Sequence, residues 1–461
     1  MLWLLTTSLI LLTTYTVNLC LKGKLPKYYK GYKVPDGPSC KPIFGHLNKL
    51  LEPDYHLQVE QLKNQYGPIV KIQIGKYPGF IVCDAKLIKE VFQDNDKLSN
   101  DRPSYSATKL AFGNQEELFI SNGDKWKTNR KIFHSALTKL FNEGVIANII
   151  EDEADYLLSQ IADGKSFNGP TLFLETTFNV INRVTVGRRA TVEQRVLFKT
   201  LQDEFPSPSL AEIIPWIPGL SILLPNQDQR VTNLMNKINP ILLDYLHHPE
   251  SPQTMSCYLR KLGGDDIPDH SYTRMLMDMY VAGYDSVQFH LSWFVLLMVN
   301  YPQIQKKLQE DLDKGSKEYF DLCLKEVMRY RPILLSGTWR QANADIFLSN
   351  GYVLPKNSLL MYSTWSVHFS SFWSNPHQFD PERFRSLTAE HENLHTLGFF
   401  RGPRVYPGEK LAKQEIYLIV KKLFSKFTLV SANDLPLNEE TYLSYIMRLH
   451  PFNIKAIPRS S

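Results

Sequence analysis

The sequence predicts a mainly α-helical protein with small β-sheets, folded as a single large domain behind an N-terminal membrane anchor. Three observations carry that prediction. The chain has 461 residues, 43% of them hydrophobic and 21% charged, too long and too apolar for a disordered segment or a small stapled scaffold. It opens on a stretch, Met1 to Leu21, without a charged residue, followed by Lys22, Lys24, Lys27, Lys30 and Lys33. Beyond that point helical apolar patterns dominate, and no internal repeat, low-complexity tract or long polar linker interrupts the chain down to Ser461.

Residues 1–21 are expected to form a transmembrane anchor, since an uncharged stretch of that length at helical rise can cross a hydrocarbon core. A cleaved leader fits less well, because a positive n-region and a small-residue cleavage site are both missing. The lysines on its C-terminal flank predict that the body stays on the cytoplasmic side. Residues 22–40 then read as a basic and Pro-rich connector, in which Val34-Pro35-Asp36-Gly37-Pro38 favours an extended, stiff conformation over a helix. The body, residues 41–461, carries no strong charge bias: Lys plus Arg is 52 against 47 for Asp plus Glu over the whole chain. A net charge of +5 gives no support to a nucleic-acid partner. Five scattered cysteines, Cys20, Cys40, Cys83, Cys257 and Cys323, lack the pairing of a zinc site or a disulfide framework and suggest a reduced compartment.

Within the body, Ile69 to Ile74 and Gly79 to Val82 are short, β-branched and joined by Gly-Lys-Tyr-Pro, so they predict a hairpin. The longest helix is expected from about His270 to Asn300, stopped by Pro302 and apolar around most of its circumference, as a helix through the centre of a large core would be. Asp278, Asp285, Ser286, Gln288 and His290 fall inside it and need partners or a wet cavity there. Asp285 and Ser286 follow Ala282-Gly283-Tyr284, where small residues allow close approach and the acid and hydroxyl could relay protons; Gly used only for packing accounts for the same pattern. Glu326 and Arg329 share a helix face at i, i+3, and Arg383 could complete a buried network with them, though an ordinary surface pair has the same spacing. Last comes Phe399-Phe400-Arg401-Gly402-Pro403-Arg404-Val405-Tyr406-Pro407-Gly408, a Gly-Pro loop running into an apolar-periodic helix through Leu418, Val420 and Phe424.

Taken in order, the Pro hinge, Trp126 with Arg130, Ala282 to Ser286, Glu326 with Arg329, Pro381 to Phe384 and the final loop resemble the cytochrome P-450 family of haem-thiolate monooxygenases. The connector and Trp216-Ile217-Pro218-Gly219 look most like its animal microsomal branch. The resemblance implies the cytochrome P-450 fold for 41–461 and a haem cofactor. It implies Trp126, Arg130, Arg340 and Arg404 at the haem propionates, Phe399 and Gly408 around the haem loop, and Asp285 and Ser286 as catalytic proton-relay residues. Glu326, Arg329 and Arg383 resemble the family's structural triad. It further implies an NADPH-dependent flavoprotein reductase as electron donor, with Lys125, Lys127, Lys131, Arg401, Lys410 and Lys413 as a candidate docking patch. The implied substrate is a hydrophobic small molecule, in a pocket drawn from 104–119, 205–220, 279–287 and 333–338. The implied location is the endoplasmic reticulum membrane, haem domain on the cytoplasmic face.

The chain departs from the family at its defining atom. Tyr406 stands where the family's iron-ligating cysteine belongs, and no cysteine follows Cys323. A thiolate donates electron density to iron and favours O–O cleavage; a phenolate is a poorer donor. Tyr406 is therefore the candidate metal ligand only as a phenolate, with a reference pKa of about 10 and Arg404 as the obvious cation to lower it. Ser286 replaces the family's usual Thr, and the segment from Leu308 to Phe320 is too short for the extra helix the family carries there. Three readings follow: an enzyme with altered haem chemistry, with haem weakly bound or absent; a pseudoenzyme that retains the fold to bind haem, a lipid-like ligand or a partner without monooxygenation; or a nonfunctional relic or sequence error.

Overall fold

The computed structural model describes residues 25–40, 54–75, 77–103, 118–204, 228–387, 393–443 and 446–459, with positions 14, 45–46, 49 and 52. The expected anchor lies almost wholly outside them. Among the described residues no helix is long and apolar enough to cross a membrane.

A sheet-rich part and a larger helical part share the body. After α1 (Tyr55–Tyr66) come β1 (Ile69–Ile74) and β2 (Tyr77–Val82), antiparallel with Ile69 opposite Val82 and Ile74 opposite Tyr77. The hairpin forms where expected, with Tyr77 and Pro78 drawn into the second strand. Helices α2 (Gly123–Asn142) and α3 (Val145–Ile161), strand β3 (Ser166–Asn168) and helix α4 (Gly169–Val186) follow. Further on are α5 (Asp269–Gly283), α6 (Asp285–Asn300), α7 (Pro302–Asp313), α8 (Glu318–Tyr330), β4 (Arg340–Gln341), β5 (Leu359–Tyr362), α9 (Glu409–Lys426), β6 (Phe427–Ser431) and β7 (Asn453–Pro458).

The main sheet has the order β1-β2-β5-β4, with β2 and β5 parallel and the other pairs antiparallel. Side chains alternate along each strand, so Ile69, Phe80, Val82, Leu360 and Tyr362 enter one apolar cluster while Val70, Ile72, Ile81, Leu359 and Met361 enter another. Both faces are covered, which is why these strands read as almost continuously hydrophobic. A second sheet, β6-β7-β3, ties the C-terminus to the middle of the chain.

The helical core is organised around α6, whose Leu291, Trp293, Phe294, Val295, Leu296, Leu297 and Met298 are all fully buried. Each large apolar side chain so placed contributes roughly 1.5–3 kcal/mol before chain entropy is counted. The sequence predicted one helix from 270 to 300; the structure breaks it at Tyr284. Two hydroxyls explain the break. Ser286 Oγ and Tyr406 Oη both donate to the Ala282 carbonyl, at 2.8 and 3.0 Å, so both of its lone pairs are engaged by side chains in competition with the helix ladder. Gly283 lowers the resistance to such a break.

The short segment after α7 is a single turn. Lys314 to Lys317 join α7 directly to α8, with Gly315 at φ +70°, Ser316 Oγ accepting from Glu318 N and Asp311 Oδ2 from Tyr319 N. Cys40, Cys83, Cys257 and Cys323 are free.

Candidate active site

The final loop sits between α2, the sheet edge and the break in the central helix. It is built from two 3-10 turns, Leu394–Phe399 and Gly402–Arg404, closed by Tyr406 N donating to Phe399 O at 2.8 Å. Gly402 is at φ +66°, and a Cβ there would lie 2.1 Å from the Phe92 carbonyl oxygen. Only glycine allows this approach.

Four arginines converge behind the loop. Arg404 is buried and donates to the carbonyls of Asn100, Leu118 and Ser121 and to Asn122 Oδ1, and its guanidinium lies 4.1 Å from the centre of the Trp126 ring. Because Asn122 also accepts from Arg102 N, its side chain is not available to cap α2. Arg130, one turn after Trp126, donates to Val405 O. Arg340 enters from β4, donates to Arg401 O at 2.5 Å and lies over the Phe92 ring. Among the described residues, Arg130, Arg340 and Arg404 meet carbonyl or amide oxygens and rings, with no carboxylate in contact. Burial and the neighbouring cations Arg102 and Arg340 push the Arg404 guanidinium down to about 8, and burial pushes Arg340 down to about 10. Two polar atoms of the group, Trp126 Nε1 and Arg340 Nη1, are buried without a hydrogen-bond partner.

Tyr406 is half-buried. Its hydroxyl is held by Ala282 O, and its ring lies against Gly408, where a Cβ would come within 2.8 Å of Cε1 and 3.0 Å of Oη. It faces Phe399 with ring centroids 6.0 Å apart, and Phe399 in turn faces His290 at 6.3 Å. Burial, with the carboxylates of Glu415 and Asp278 nearby, raises the phenol well above its ordinary range. Arg404, the cation expected to lower it, is directed elsewhere.

Asp278, Ser286, Gln288 and His290, all in the predicted central helix, find partners. Asp278 accepts from Leu118 N at 2.6 Å, Gln288 donates to Ser292 Oγ, and His290 Nδ1 lies 2.9 Å from Ser286 O. Asp285 is only 8% exposed, and burial lifts its carboxyl to about 6 against the pull of Arg448 and Lys199. Glu326 meets Arg329 Nε at 2.7 Å and Arg383 Nε at 3.0 Å, so all three anticipated partners come together. Two pocket segments expected from the sequence, at 104–117 and 205–220, lie outside the described residues. Of the candidate docking patch, Lys127, Lys131 and Lys410 are exposed, while Arg401 is held inward by the carbonyls of Thr396 and Phe400. A cavity of about 710 Å³ lies against the loop, bordered by Arg130, His134, Lys317, Tyr406, Lys410 and Lys413.

Sequence reasoning missed Arg102 and Glu415. Arg102, which no motif or periodicity marks, is buried and donates to Phe119 O and Trp339 O. Glu415 is fully buried on α9, both carboxylate oxygens are without a hydrogen-bond partner, and burial alone raises its carboxyl well above the ordinary range. Its place midway between Leu411 and Ile419, on the apolar stripe of that helix, was a readable signal.

Comparison with known proteins shows the family and the fold. The family model described as Cytochrome P450 matches residues 35–456. "Cytochrome P450 2J5" of Mus musculus is 26% identical, covering 96% of this chain and 94% of its own length. "Steroid 17-alpha-hydroxylase/17,20 lyase" of Gallus gallus is 27% identical, covering 90% of each, and "Probable cytochrome P450 516A1" of Dictyostelium discoideum is 23% identical, covering 92% and 93%. A zebrafish cytochrome P450 structure with progesterone superposes with a TM-score of 0.76 at 22% identity, over 87% of this chain and 99% of that one.

Proposed function

Because the chain belongs to the cytochrome P450 family, we propose that it is a membrane-anchored haem protein, by descent a monooxygenase of a hydrophobic small molecule, impaired because Tyr406 stands where the axial cysteine belongs. Family membership implies haem. The rim fits that group's two carboxylates: Arg130, Arg340 and Arg404 bring positive charge without a counter-ion, and Trp126 Nε1 and Arg340 Nη1 are unpartnered donors. Arginine is suited to bidentate bonds of this kind. The position of the missing cysteine does not fit, because the Tyr406 hydroxyl is taken up by Ala282 O and burial holds its phenol well above the ordinary range. That single observation carries the reading of impairment. Asp285 and Ser286 keep an acid and a hydroxyl at the helix break, where they would hold protons, but the Ser286 hydroxyl is already engaged by the Ala282 carbonyl.

An apolar substrate is supported by the relatives named for steroid hydroxylation, and a flavoprotein reductase by the exposed lysines beside the loop. The endoplasmic reticulum membrane, with the haem domain cytoplasmic, rests on the uncharged stretch and its lysines. A second reading, a pseudoenzyme without bound haem, is favoured by the contact between Tyr406 and Ala282. The test is the reduced, CO-treated spectrum of the purified full-length protein beside Tyr406→Cys. The wild type is expected to lack the thiolate-type band and the variant to gain it; a thiolate-type band in the wild type would overturn impairment.

A further inference from the structure

We propose that Tyr406 is a plug: its ring fills the gap between the loop and the central helix, so that haem is excluded from its family position while the ring stays there. This deepens the reading of impairment, which it presupposes, by giving it a steric cause in addition to a lost ligand atom.

The argument is one of distance. A flat macrocycle whose metal was bound by Tyr406 would need a bond of about 2 Å on one face and a van der Waals gap of about 3.5 Å to the atoms facing the other. The structure leaves 3.0 Å between Tyr406 Oη and the Ala282 carbonyl oxygen. No macrocycle passes through that space. The ring is also held on its flanks, by Gly408, where a Cβ would be 2.8 Å from it, and by the sequence of facing rings through Phe399 to His290. Moving the ring also gives up the hydrogen bond from its hydroxyl to Ala282 O, which Ser286 Oγ shares, and leaves the phenol to find another acceptor. The loop residue and the helix residue are thus joined directly where the family's cofactor would separate them, while the carboxylate-binding rim remains in place beside them.

A plug and a ligand predict opposite effects for the same substitution. If the hydroxyl ligated iron, Tyr406→Phe would bind haem less well than wild type. If the ring is a plug pinned by that hydroxyl, Tyr406→Phe will bind haem at least as well, and Tyr406→Ala, supplied with imidazole as an exogenous ligand, better still. Full-length wild type, Tyr406→Phe, Tyr406→Ala and Tyr406→Cys are titrated with haemin, and the Soret absorbance per protein is read, with thermal melts as a control for folding. The expected result is that Tyr406→Ala and Tyr406→Cys take up haem at least about tenfold more tightly than wild type, because the apparent affinity scales with the fraction of molecules in the open form. Stoichiometric haem in wild type, with a tyrosinate charge-transfer band that Tyr406→Phe loses, would overturn the plug. So would a folded Tyr406→Ala that takes up no more haem than wild type. The impairment reading fails separately, if wild type supports reductase-driven turnover equal to that of Tyr406→Cys.

Discussion

Two groups of buried charge, one around Glu326 and one around Arg404, are built on different principles. Around Glu326, every charge is answered. Its carboxylate accepts from Arg329, Arg383 and Asp380 N, and Arg329 also donates to the carbonyls of His368 and Pro376. Around Arg404, positive charges meet other positive charges and neutral oxygens, and two donors have no partner. A closed network of this kind is a fixed part of the fold, whereas an open one retains capacity for an anionic group from outside. The difference teaches which buried charge serves folding and which serves binding, a distinction that composition and spacing do not make.

The largest effect should come from the closed network. Glu326→Ala leaves Arg329 and Arg383 without their anion and is expected to destabilise the protein by about 3–5 kcal/mol, read as a lower urea midpoint or loss of soluble protein. A stability within error of wild type would remove the distinction drawn above. Asp285 is intermediate, a buried carboxylate whose cations act from a distance. Its folded pKa of about 6 lies above the unfolded value, so its contribution is fully present below pH 4 or so and is lost as pH rises through 6. Between those limits wild type should lose on the order of 2 kcal/mol that Asp285→Asn does not lose. Denaturant unfolding of both proteins at several pH values checks this, and parallel pH profiles would refute it. The open group should be the least sensitive of the three. Arg340→Leu removes a cation with one carbonyl bond and an unpartnered Nη1, so the haem-free protein should change by less than about 1 kcal/mol. A loss as large as that of Glu326→Ala would make Arg340 a folding residue too.

Much of this was legible in the sequence, and the parts that were not share a cause. The hairpin could be read from alternation and turn residues, and the Glu326–Arg329 pair from i, i+3 spacing, because both are local. The carbonyls that complete the Glu326 network come from His368, Pro376 and Gln378, and no periodicity announces them. The identity of Tyr406 marked the departure at once, but its reach to Ala282 depends on two segments 124 residues apart. The same contact accounts for the break at Tyr284, which the uninterrupted apolar pattern from Met275 onward concealed. Arg404, two residues from Tyr406 in the sequence, is the obvious cation for its phenol, but the fold turns it toward Asn122 instead.

The smallest effect on folding, and the sharpest test of whether exposed charge differs in kind from both buried groups, concerns the lysines beside the loop. Lys127, Lys131 and Lys410 are exposed; Lys127 pairs with Asp124, and Lys410 lies over the Phe141 ring. Pairs of this type are screened by water and salt, so reversing all three to Glu should move stability by no more than about 0.5 kcal/mol each. Association with an acidic partner responds differently, because long-range fields steer encounter and fall with ionic strength. The triple variant should therefore fold as wild type does while its association with the flavoprotein reductase weakens and loses salt dependence. Surface plasmon resonance at two ionic strengths reads both quantities. Unchanged association with unchanged salt dependence would show that these lysines are a solvated face and that the docking surface lies elsewhere. Unfolding of the variant would show instead that the exposed pairs belong with Glu326 among the charges on which the fold depends.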